Sequence, residues 1–182
     1  MAKKNMLIAI LIISIITLPL SACSLWGINI PGRFIESDED VANAKMDKVL
    51  AAIKNKDKDS LKLLFSKKAV AESKNLEASV AKLFEFFKGK YISYNDWGGP
   101  GVEDTSSGWK RIDSTYDVKT SKGKYRFAIR TMANDPGNED NIGIYSLYII
   151  KMEDDPYKDY AYWGDGEWTP GINFNKQGPK RD

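Results

Sequence analysis

Apolar positions fall along this chain in three successive patterns. The first is unbroken: Met6 to Leu20 carries no charged residue and follows Lys3 and Lys4. The second has helical spacing. Val41, Met46, Val49, Leu50 and Ile53 make one stripe that ends near Lys54, preceded by Ser37 and Asp40 in a variant capping box and by Asp38 and Glu39, whose charge suits the positive end of a helix dipole. Asp57 begins a shorter helix with Leu61, Leu64 and Phe65. A third helix starts near Ser73, carries Leu76, Val80, Leu83, Phe84 and Phe87 on one face, and stops at Gly89.

The third pattern is that of strands. KYISYNDW, WKRIDSTYDVKT, YRFAIRTM and IGIYSLYIIKM are rich in aromatic and β-branched residues, and turn residues separate them. The middle two form a hairpin across Ser121-Lys122-Gly123, with Gly123 expected at positive φ. Alternation in the return strand turns Tyr125, Phe127 and Ile129 inward and leaves Arg126, Ala128 and Arg130 on the solvent side. Helices first and strands afterwards predict an α+β domain, with the N-terminal helices packed on one face of an antiparallel sheet.

The opening run has the charged-then-apolar order of a secretory signal. At about 15 residues it spans about 22 Å as a helix, short of the roughly 30 Å of bilayer hydrocarbon. Leu20-Ser21-Ala22-Cys23 resembles the bacterial lipobox, in which the cysteine sulfur takes a diacylglyceryl group before cleavage. The expected organisation is therefore a signal peptide over 1–22, a tether over 23–36 and one domain over 37–182, with Cys23 as the lipid attachment site. Two acyl chains hold a protein firmly, because each buried methylene contributes about 0.8 kcal/mol and one chain alone anchors only marginally. With a single cysteine, no disulfide forms within the chain.

Processing alters the charge. The 27 basic and 25 acidic residues become 25 of each once Lys3 and Lys4 are lost, so the mature chain is neutral overall and calls for no nucleic-acid surface. The expected location is the outer face of a bacterial cell membrane.

AIKNKDKDSLKLLFSKKA, FEFFKGKYISYND and NIGIYSLYII resemble uncharacterised Gram-positive lipoproteins that carry a domain of unknown function, themselves similar to the nuclear transport factor 2-like or cystatin-like superfamily. The resemblance runs from about Asp38 to about Ile172 and is strongest over Asn55–Ala69. It implies a cone, a strongly curved sheet wrapped around a helix, whose mouth takes small molecules in many relatives. It implies no reaction, since that superfamily holds enzymes, binding modules and assembly factors alike.

The chain has no histidine, and its one thiol is expected in a thioether, which leaves no Ser-His-Asp, Cys-His or His/Cys zinc chemistry. No catalytic residue, metal or cofactor is assigned. Asp96, Asp113 and Asp117 lie near Tyr94 and Tyr116 in sequence, and an Asp/Tyr enzyme of isomerase, dehydratase or hydrolase type is the alternative to binding. Cross-strand pairing accounts for the same residues without chemistry. Arg126 and Arg130 share a face from which they can grip a carboxylate or phosphate. NDPGNEDN and MEDDPYKD offer oxygen ligands but lack EF-hand spacing, and turn chemistry explains the first. Gly98-Gly99-Pro100-Gly101 reads as a turn, and DYAYWGDGEW as a segment that folds back to bury its rings over the sheet edge. Tyr94, Trp109 and Tyr148, large amphipathic rings on strands, are the pocket candidates. The functional expectation is a non-catalytic, lipid-anchored module that binds a small molecule or an envelope partner's segment, with a homodimer through the outer sheet face as a further possibility.

Overall fold

The computed structural model describes residues 36–176 apart from 157, 161 and 163. The signal segment, Cys23 and the expected tether lie outside the described residues. Four helices come first: α1 (Asp38–Asn55), α2 (Lys58–Lys62), α3 (Lys67–Glu72) and α4 (Leu76–Phe86). Six strands follow: β1 (Tyr91–Asp96), β2 (Gly101–Asp104), β3 (Lys110–Thr120), β4 (Gly123–Asn134), β5 (Gly143–Lys151) and β6 (Gly171–Phe174). Among the described residues no helix is long and apolar enough to cross a membrane.

Helix α1 starts as its sequence dictates. The Ser37 hydroxyl accepts from the Asp40 N–H at 3.1 Å, and the Asp40 carboxylate accepts from the Ser37 N–H at 3.2 Å. Met46, Val49, Leu50 and Ile53 are buried, as the stripe requires. Asp57 caps α2 by accepting from the Ser60 N–H, but the helix ends at Lys62 rather than continuing through Leu64 and Phe65. Backbone competition decides this: the Ile144 N–H donates to the Leu64 carbonyl at 2.8 Å and the Ser66 N–H to the Ile144 carbonyl at 3.0 Å. A strand start thus captures groups that a longer α2 would have used. The Ser66 side chain, freed in this way, caps the unexpected α3 through the Ala69 N–H. Asn75 caps α4, which places its start three residues later than the spacing suggested.

The sheet is mixed, with order β1-β3-β4-β5-β6; β2 lies on the same edge of β3 as β1 but pairs with Lys110–Asp113, where β1 pairs with Tyr116–Thr120. All pairings are antiparallel except β5 with β6, which corrects the expected antiparallel sheet. A parallel neighbour needs a crossover, and the 152–170 connection supplies one over the face away from the helices. Gly123 also departs from expectation: it is the first residue of β4, opposite Thr120, and its φ is not positive. The turn is held instead by the Thr120 hydroxyl, which accepts from the Lys122 N–H at 3.2 Å.

One core lies between helices and sheet. Tyr116, Val118, Tyr125, Phe127, Ile129, Leu147, Ile149 and Ile172 meet Met46, Val49, Leu61, Val80, Leu83 and Phe87 there, so the inward set of β4 is the expected one. A second, smaller cluster on the outer face joins Ala128, Tyr148 and Ile150 to Tyr162 and Trp168 of the 152–170 connection.

Candidate functional site

The three candidate rings occupy three separate places. Tyr94 lies on the helix side of β1, edge-on to Tyr116 at 5.3 Å. Burial, helped by a hydrogen bond to Asp47, pushes its hydroxyl up to about 12, so it remains a protonated donor. Trp109 precedes β3 and has the Arg111 guanidinium 5.8 Å from its ring centre. Tyr148 is on the opposite face of the sheet, where its hydroxyl donates to Asp165 at 2.9 Å and accepts from the Thr169 N–H at 2.6 Å. Burial pushes it too up to about 12.

The outer face holds the carboxylates and arginines. Arg130 grips Asp113 through two hydrogen bonds of 2.8 Å, with the Trp168 ring centre 3.8 Å from its guanidinium carbon. Arg126 grips Asp117 at 2.6 and 3.0 Å and reaches Asp155 at 2.9 Å. It also donates to the backbone carbonyls of Tyr160 and Lys158 at 3.1 Å. The even spacing placed both arginines on one face correctly, but that face is not open to solvent at Arg126, which is 1% exposed. The connection folds over the sheet face rather than its edge and buries Tyr162, whereas Tyr160 is exposed. Bidentate pairing engages both carboxylate oxygens of Asp113 and of Asp117 and ties adjacent strands β3 and β4 together. Asp135 accepts from the Gly137 and Asn138 N–H groups at 3.1 Å, the turn chemistry expected for NDPGNEDN.

A different place gathers lysines from several segments. At the β3–β4 turn end of the sheet, a cleft of about 580 Å³ is lined by Lys88, Lys122, Gly123, Lys124, Tyr125, Lys151, Met152, Glu153 and Lys158. The lysines come from the α4–β1 connection, the hairpin, the end of β5 and the outer connection. Glu153, 3.4 Å from Lys151, is the single acid among the described residues of this lining. The backbone beneath is stapled from both sides. The Thr120 hydroxyl donates to the Lys88 carbonyl at 2.8 Å, the Ser121 N–H donates to the Lys90 carbonyl at 2.8 Å, and the Lys90 N–H donates to the Ser121 hydroxyl at 2.9 Å. Below them the buried Tyr125 hydroxyl accepts from the Lys88 N–H at 2.8 Å and donates to the Phe86 carbonyl at 3.2 Å.

Gly89 makes this approach possible. Its φ is +90°, and a Cβ there would stand 2.8 Å from the Lys122 nitrogen and 2.9 Å from the Thr120 hydroxyl. Gly89→Ala is expected to cost about 2 kcal/mol through the strained φ and the parted staple, read as a lower urea midpoint at constant slope; an unchanged midpoint would contradict this geometry. Sequence reading missed the cleft. Its only local signal is TSKGKY, a turn flanked by lysines; the other contributors are far away along the chain.

Fold and site together define an α+β domain with four helices on one face of a six-stranded mixed sheet and a lysine-lined cleft at one end. A family model described as Domain of unknown function (DUF5104) matches residues 48–152, more than half of the chain, and the protein belongs to that family. The matched stretch includes Gly89, the hairpin and Lys151, and stops before Asp155 and Lys158. Comparison with curated proteins gave no match.

Proposed function

We propose that this protein is a lipid-anchored module at the outer face of a bacterial membrane, built on a fold of the nuclear transport factor 2-like or cystatin-like kind, that works by binding. Its ligand meets it at the lysine cleft rather than within a cone. The observation that carries this is the cleft itself: open, charged and rigidly backed. The helix-covered sheet face, where a cone-shaped pocket would open, is filled instead by Tyr116, Val118, Phe127, Ile129, Leu147 and Ile149, each 1% exposed or less. The outer face, which a homodimer would use, carries the 152–170 connection. The anchor rests on the Lys3-to-Cys23 pattern.

Anchoring is tested by expressing Cys23→Ser in a lipoprotein-processing bacterium. The wild type is expected in the membrane fraction with the mass of a diacylated cysteine; the variant is expected in the medium or as unprocessed precursor. A fully processed variant that stays with the membrane would sink the anchor.

A further inference from the structure

The chemistry of the cleft narrows what enters it, given the preceding reading that ligand binds there. Among its described residues, five ammonium groups stand with one carboxylate. Just beside them Lys119 stands directly opposite Lys124 across β3 and β4, an arrangement of like charges that costs stability. Asp38, Glu103, Asp104 and Asp140 gather at the other end of the sheet, where they pair with Lys110, Arg111 and Lys67. The two ends are separated by the length of β3, 11 residues or about 35 Å.

What the lining lacks is equally informative. Among the described residues it contains no arginine, so they offer no planar fork for bidentate carboxylate recognition. The one ring among its described residues, Tyr125, is buried with its hydroxyl engaged on both sides, so it presents no face for stacking a base or sugar. There remain compact point charges on flexible stems, each with three donors, around a space in the size range of whole ligands rather than of one small ion. We propose that this cleft binds a run of phosphate groups without bases, a polyphosphate or phosphodiester chain, through Lys88, Lys122, Lys124, Lys151 and Lys158 as point charges.

The test uses the full chain in neutral detergent with linear polyphosphate, read by lysine-specific methylation and mass spectrometry and by affinity at several salt concentrations. Polyphosphate is expected to protect the five cleft lysines but not Lys67, and the affinity should fall linearly on a log–log plot against salt. The Lys122→Glu/Lys124→Glu variant is expected to bind roughly 30-fold more weakly. Lys88→Glu, on a different element, should weaken binding independently, and near-ultraviolet circular dichroism checks that both variants fold. Reconstitution in phosphatidylcholine vesicles with and without phosphatidylglycerol separates the sources. Protection by soluble polyphosphate assigns a free polymer, and protection only with phosphatidylglycerol assigns lipid headgroups. Protection by neither overturns the proposal, as does equal affinity for polyglutamate, tighter binding of single-stranded DNA, or indifference to all three charge reversals. These failures leave the Cys23→Ser result standing, and failure of anchoring leaves polyphosphate binding intact.

Discussion

Replacing Arg126 with methionine is expected to cost about 3–5 kcal/mol, the penalty for removing one partner of a buried ion pair. All five N–H donors of this guanidinium are engaged, by Asp117, Asp155 and the carbonyls of Lys158 and Tyr160, and Trp97 lies over it at 4.5 Å. The side chain of Asp155 is 2% exposed, so losing the guanidinium removes the countercharge beside a carboxylate held away from water. Arg126→Lys should recover little, because one ammonium cannot span both carboxylates and two carbonyls. Urea unfolding reads the loss, and limited proteolysis between β5 and β6 shows whether the outer connection has lifted. A cost under about 1 kcal/mol would mean that the connection is not held by this network.

Gly143→Ala is expected to cost about 3 kcal/mol. A Cβ at this position would lie 2.7 Å from the Ser66 nitrogen and 3.1 Å from the Leu64 oxygen and Phe65 carbonyl carbon, all backbone, at a φ of +130°. The strain accounts for about 1–3 kcal/mol. The two hydrogen bonds linking Ile144 to Leu64 and Ser66, pushed apart by the methyl group, account for about 1 kcal/mol each. Gly123→Ala is the control: nothing lies within 4 Å of its Cβ and its φ is ordinary, so its midpoint should move by less than about 0.5 kcal/mol. Equal losses at the two glycines would show that the Leu64–Ser66 contact with β5 is not what Gly143 protects.

These two sites mark what local pattern conveys. Tyr125, Phe127 and Ile129 alternate with Arg126, Ala128 and Arg130, and a period of two assigns them to opposite faces whatever the rest of the chain does. The alternation says nothing of whether the second face is wet. That depends on the segment that arrives after β5, and its arrival turns Arg126 from a solvent charge into the most heavily bonded side chain of the outer face. Likewise Leu61, Leu64 and Phe65 are compatible with one helix until Ile144, almost 80 residues later, competes for the backbone beside them.

By itself the amino-acid sequence determined the capping box at Ser37, the apolar stripes of α1 and α4, the inward set of β4 and the order of helices before strands, because each is encoded within a few residues of itself. Tertiary structure alone decided the parallel β6, the burial of Arg126 and the meeting of Lys88, Lys122, Lys124, Lys151 and Lys158 in one cleft. Charges drawn from four separate segments repel in isolation; they are held together by Gly89, Thr120, Ser121 and Tyr125 only after the core has closed.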